Sequence, residues 1–188
     1  MTDAIEIRTV DRFAEPAFTA LVDRLLHDSD RKAVNERLFG SQVVAPPPSQ
    51  ALQVRVGAYA GDTLVGWSHA FLAPGGVLYV SNSAVDHEYR RQGVYTRLVA
   101  AIEEEAKALH CLRVESHHRA ANSAVLIAKL KAGYTIVGTE FQAEMGLLVK
   151  MAKPLDARRG AVFHARAGVL EGAVRFFEPT RNPALTGP

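Results

Sequence analysis

The chain has 188 residues, 48% of them apolar and 22% charged, and a formal net charge of +2. That is the balance of an ordinary globular protein with room for one sizeable core, and it argues against a dedicated nucleic-acid binder. The single cysteine, Cys111, excludes an internal disulfide, no apolar run approaches the roughly eighteen residues that span a bilayer, and Met1-Thr-Asp-Ala4 lacks a basic leader, so a cytoplasmic protein with neither membrane nor nucleic acid as partner is expected.

Ala4 to Val10 alternates apolar and polar residues and predicts a first strand. Phe18, Leu21, Val22, Leu25 and Leu26 then recur at helical spacing, with Asp11 as candidate N-cap. A second short helix is expected around Arg31 to Phe39, ending at Gly40, and the proline run Pro46-Pro-Pro48 makes 41–50 a loop. Leu52 to Val56 and Leu64 to Phe71 flank the turn at Gly61-Asp-Thr63, and Pro74-Gly-Gly76 leads into Val77 to Val85. Such short connections predict an antiparallel meander of three strands, with Trp67 and His69 on one strand face as packing residues.

A helix follows, with Leu98, Val99, Ile102, Ala106 and Leu109 inward and Glu103 to Glu105 and Lys107 on the wetter side. Cys111 to His117 reads as a strand reached by crossover, hence parallel to Val77–Val85. Asn122 is a plausible N-cap for a helix stopped at Gly133, and 134–140 and 145–151 complete the sheet. The sum is a mixed α/β (α+β) domain whose mostly antiparallel sheet has about seven strands and about four flanking helices. Beyond it, Val162, Phe163, Val169, Leu170, Val174, Phe176 and Phe177 predict an amphipathic C-terminal helical extension with a mild basic excess, ended by Pro179 and Pro183. That helix is expected to dock on the domain or on a second subunit, which would make the protein a homodimer.

The chemistry concentrates where Val85 gives way to the helix. Gly93 stands where the main chain must turn without a Cβ in the way. The amides of Gln92, Gly93, Val94, Tyr95 and Thr96 then lack intrahelical partners. Together with the helix dipole, and with Arg90, Arg91 and Arg97 nearby, they favour a bound phosphate.

This stretch resembles the acetyl-coenzyme A signature of the GNAT superfamily of N-acetyltransferases, Arg/Gln-x-x-Gly-x-Gly/Ala. The lead is Val85-Asp-His-Glu-Tyr-Arg90 and the pattern positions are Arg90, Gly93 and Tyr95, where Tyr95 replaces a small residue. A second family motif, Asn-x-x-Ala-x-x-Leu-Tyr-x-Lys-Leu-Gly-Phe, is similar to Asn122-Ser-Ala-Val-Leu-Ile-Ala-Lys-Leu-Lys-Ala-Gly-Tyr134, with Asn122, Lys131, Gly133 and Tyr134 in register. The resemblance covers residues 4 to 152 and implies a GNAT-like domain over 1–152, with 153–188 as the extension. It also implies direct transfer of an acetyl group from acetyl-CoA, as co-substrate, to a primary amine of a small molecule or peptide. Residues 28 to 50 would border the acceptor pocket. Cofactor contacts carried over are Val85, whose amide would receive the thioester oxyanion, Arg90, Arg91, Gln92, Gly93, Val94, Tyr95, Thr96, Asn122 and Lys129.

Such transfer needs a base for the amine and a donor for the departing thiolate. Glu115, His117 and His118 form the shortlist for the base, with Glu115 and His117 on one strand face and Ser116 and His118 on the other. Asn122 would bond the pantetheine arm or the acceptor. Lys129 occupies the place where many relatives carry a proton-donating tyrosine, and a solvated side chain is expected there. Adjacent histidines without a third suitably spaced ligand do not make a metal site, so none is expected. The alternative to catalysis is an acyl-CoA-binding or partner-interaction module of the same fold with little turnover.

Overall fold

The structure, a computed structural model, describes residues 4–26, 37, 50–143 and 145–166. The helix and loop expected over 31–50, and the helical extension beyond residue 166, lie largely outside these residues. In chain order come β1 (Ile5–Thr9), α1 (Ala17–Leu26), β2 (Gln53–Ala60), β3 (Thr63–Ala73), β4 (Val77–Val85) and α2 (Val94–Ala108). Then follow β5 (Arg113–Arg119), α3 (Ser123–Lys131), β6 (Thr135–Gln142), β7 (Gly146–Pro154) and α4 (Ala157–Arg166).

The strands form one seven-stranded sheet ordered β1-β2-β3-β4-β5-β7-β6. Its first half is the expected meander, each turn set by glycine in the left-handed region: Gly61 at φ 58° between β2 and β3, Gly75 and Gly76 between β3 and β4. The crossover through α2 makes β4 and β5 parallel, and the remaining pairs are antiparallel. This is the mixed, mostly antiparallel architecture that the element pattern predicts.

One face of the sheet packs on α2. Val56, Leu78, Val80, Val114 and Met151 meet Val94, Leu98, Ile102 and Ala106 of the helix in one buried cluster, burial that stabilises the sheet–helix pair by roughly 25 cal/mol for each Å² of apolar surface removed from water. Another buried cluster holds α1 on the sheet, where Phe13, Leu21 and Trp67 bury one another. Trp67 is fully buried, packs against α1 and donates from Nε1 to Asn82 Oδ1 at 2.7 Å, whereas His69 is partly buried and hydrogen-bonded between Gln53 and Ser81. Asp11 does not cap α1. The helix begins at Ala17, and the carboxylate of Glu15 accepts the Thr19 amide at 3.1 Å in its place. At the other end β7 runs to Pro154, Leu155 packs against the core, and α4 buries Ala161. Among the described residues no helix is long and apolar enough to cross a membrane.

Candidate active site

The β4–β5 ladder is short. It pairs Val77 to Val80 with Arg113 to Ser116 and stops, although β4 continues to Val85 and β5 to Arg119. A bulge marks the point of divergence: His69 pairs with Asn82 and Ala70 with Val80, which leaves Ser81 as an extra residue in β4. Bulges bend and twist the strand that carries them. Meanwhile the outer edges stay paired, β4 with β3 to Val85 and β5 with β7 to Arg119. The result is a wedge in the middle of the sheet, edged by main-chain groups of 81–85 and 117–119 that have no cross-strand partner in this pair. Asp86 donates its amide to the Val65 carbonyl on the β3 side at 2.8 Å. Successive amides of an extended strand point to opposite edges, so the Val85 amide faces the wedge.

The turn closing the wedge at its upper end runs from a 3-10 turn, His87–Tyr89, to α2. Gly93 is the N-cap residue of α2 at φ 76°, and Arg91 precedes it at φ 63°. The first helical main-chain bond joins the Arg97 amide to the Gly93 carbonyl at 3.1 Å. From Arg91 to Thr96, no amide has a main-chain partner among the described residues. Arg91, Gln92, Gly93 and Thr96 are exposed, and a Cβ built on Gly93 would meet nothing within 4 Å, so the turn is open to solvent at that residue. These features fit a diphosphate. The arginines divide the labour differently from the sequence expectation. Arg90 Nε donates to the Val85 carbonyl at 2.9 Å and Arg97 to the Ile5 carbonyl at 2.8 Å, which leaves Arg91 as the guanidinium of the three without a partner among the described residues. Gln92 is tied to the Glu88 carbonyl. Tyr95 tucks its ring against the core, and burial pushes its phenol well above the usual range; its bulk therefore stays off the amide row.

At the mouth of the wedge β5 presents the shortlisted bases, on opposite faces as alternation requires. Glu115 is committed: Arg113 Nε donates to it at 2.5 Å, with Lys150 at 3.9 Å. His118 faces the α2 side, hydrogen-bonded to Ser116 at 2.9 Å, and burial first, then the charges of Lys129 and His117, push its pKa down to about 4. His117 lies on the other face with its ring edge-on to Tyr79, centroids 5.3 Å apart, and Nδ1 3.7 Å from Glu140 Oε2. Its Nε2 is buried and has no hydrogen-bond partner among the described residues. Asn122 caps α3 by accepting the Val125 amide at 3.3 Å, and its amide NH₂ remains at the end of β5.

Lys129 overturns an expectation. The side chain expected in solvent is 2% exposed, with Nζ over the Tyr134 ring at 3.9 Å. Burial pushes its pKa down to about 7, a fall that the Glu103 carboxylate opposes and Lys153 reinforces. Around it lies a buried polar cluster of α2, α3 and β7: Glu103 Oε2 accepts from Lys153 at 2.6 Å, while Glu103 Oε1 and the Tyr134 hydroxyl have no partner among the described residues. Sequence reasoning missed this cluster because no local pattern links residues 103, 129, 134 and 153. It missed Glu140 for the same reason. Among the described residues no three His, Cys, Asp or Glu side chains are grouped to hold a metal ion.

Comparison with known proteins bears on the family and the fold. The model of the acetyltransferase (GNAT) family matches residues 17–131. The fold is similar to the ribosomal-protein-S18-alanine N-acetyltransferase of Escherichia coli, with a TM-score of 0.62 and 15% identity over 81% of this chain and 95% of that one. It is similar to the IAA acetyltransferase of Bacillus cereus, with a TM-score of 0.60 and 14% identity over 80% and 99%. An acetyltransferase of Bacillus subtilis, solved in complex with CoA, gives a TM-score of 0.58 and 16% identity over 80% and 99%. At these identities the likeness is one of fold. No curated protein matches the chain.

Proposed function

The chain belongs to the GNAT acetyltransferase family, and on that premise we propose that it transfers an acetyl group from acetyl-CoA directly to a primary amine of a small molecule or a peptide. The observation that carries this reading is the wedge between β4 and β5, opening beside a row of partnerless amides. Amides 91–96 and Arg91 would hold the diphosphate, and the wedge edges would pair with the amide-bearing arm of the coenzyme. The Val85 amide would meet the thioester oxygen as charge develops on it, the kind of contact whose loss costs about 10²–10³ in rate. Asn122 would reach the arm from the end of β5.

Of the three bases, His117 is assigned the role. Glu115 already neutralises two cations, and His118 is bonded on the other face. Imidazole as a class suits proton removal near neutrality, and Nε2 of His117, buried and without a hydrogen-bond partner among the described residues, would accept the proton once the acceptor has entered beside it. The acceptor nitrogen then bonds to the carbonyl carbon as the carbon–sulfur bond breaks, and the sulfur leaves as thiolate to take a proton.

The test pairs two measurements on the full chain: calorimetric titration with acetyl-CoA, and thiol release across a panel of amines and amino-terminal peptides. Binding with release on at least one amine supports transfer. Binding without release on any amine would favour the low-turnover module, and absence of binding would end both readings.

A further inference from the structure

We propose that the Arg24–Asp86 ion pair is a positioning contact of the transfer site, fixing the end of β4 from the α1 side of the sheet. The inference rests on the reading of the wedge given above and adds to it a residue that no motif marks. Asp86 directly follows Val85. Its carboxylate is 11% exposed, and Arg24 Nη2 reaches Oδ2 at 2.5 Å from the last turn of α1, across 62 residues of sequence.

What the carboxylate does not do is informative. An aspartate preceding a helical turn ordinarily accepts the orphan amides of that turn. Asp86 stands in that position before His87–Tyr89, yet its side chain makes no cap hydrogen bond. Its main chain supplies the local bonds: its amide goes to Val65 O at 2.8 Å, and its carbonyl accepts the Tyr89 amide at 2.9 Å. Arg90 adds a bond to the Val85 carbonyl. All of these lie within the sheet and the turn itself. Arg24 is the carboxylate's one ion-pair partner among the described residues and joins it to α1, which also packs on the neighbouring Ala84.

A buried carboxylate stripped of its cation is costly, and the chain relieves the cost by moving the carboxylate toward water. Any such movement carries the Val85 amide and the entry to the phosphate turn with it, because Val85 and Asp86 are neighbours in the chain. Arg24 itself is 59% exposed, and α1 is held on the sheet by Phe18, Leu21 and Val22. Removing the guanidinium should therefore disturb the junction and leave the fold.

The experiment uses the full chain with Arg24→Met, Arg24→Lys and the double variant Arg24→Met/Asp86→Asn. Three quantities are read: acetyl-CoA affinity by calorimetry, hydrogen exchange over residues 81–97, and Tm. Arg24→Met is expected to weaken acetyl-CoA binding about tenfold and to speed exchange across 81–97, with Arg24→Lys recovering most of both. The double variant, with no charge left unpaired, should exchange more slowly than Arg24→Met alone. Affinity and exchange unchanged in Arg24→Met, or a lower Tm with affinity intact, overturns the inference alone. Failure of the unsubstituted chain to bind acetyl-CoA overturns the functional reading and this inference with it.

Discussion

Gly93 holds the tightest constraint in the proposed site. At φ 76° an L side chain is strained by about 1–2 kcal/mol, and a β-branched one by more. Yet the space beside its Cα is open, so steric contact adds nothing to that strain. Gly93→Val is therefore expected to cost only a few degrees in Tm while relaxing the turn and misdirecting amides 92–96. Calorimetry should show acetyl-CoA affinity lowered by about tenfold or more; an unchanged affinity would remove the turn from the binding site. The position is readable in the sequence because only glycine fits that backbone conformation without penalty. Lys129 is not. A lysine on an amphipathic helix is solvated by default, and its burial depends on how α2, α3 and Tyr134 meet, which no spacing within residues 122–132 records.

Elements are legible where connections are short. The turns at Gly61 and Gly75–Gly76 fix the meander, and Asn122 caps α3 as its sequence position suggests. Two features escape. The ladder between β4 and β5 stops after Val80 because Ser81 is a bulge and β5 stays paired with β7, a competition between partners distant in sequence. The start of α1 falls at Ala17, well after Asp11, because Glu15 serves the Thr19 amide. At the sheet margin β6 is an edge strand bearing exposed Ile136, Val137 and Phe141, the last 76% exposed. Apolar edges of this kind invite pairing between chains. Phe141→Lys is expected to change folding stability by less than about 0.5 kcal/mol, since little is buried, and to lower concentration-dependent light scattering. Scattering that does not fall would show that this edge is already shielded.

For the molecule as a whole, two bases, Lys129 buried and His118 partly buried, make stability depend on pH in separate windows. Lys129 is held near 7 in the folded chain and returns to its ordinary value of 10.5 on unfolding. Between those values the unfolded chain binds a proton that the folded one has shed, so stability rises with pH through that window. Below pH 7 both states are charged, and the fold carries the full cost of a buried ammonium, at about 1.4 kcal/mol per pKa unit and so a few kcal/mol in all. His118, near 4 folded and 6.5 unfolded, acts the same way lower on the scale: stability rises from pH 4 to 6.5, and the cost is complete below pH 4. Urea midpoints measured at intervals from pH 4 to 10 should therefore climb in two steps. Lys129→Met should be more stable than the unsubstituted chain at pH 6, the gap closing toward pH 10, and His118→Asn should flatten only the lower step. Parallel curves for Lys129→Met and the unsubstituted chain would mean that the amine keeps its proton when folded, stabilised by Glu103 and the Tyr134 ring more than burial opposes it. The two windows meet near neutrality, so thiol release by the Lys129 and His118 variants can be followed across the same pH range as their stability. Because Lys129 interacts with Glu103 of α2 and with His118 of β5, a change at either base that also shifted the pH dependence of thiol release would tie the buried cluster to the wedge.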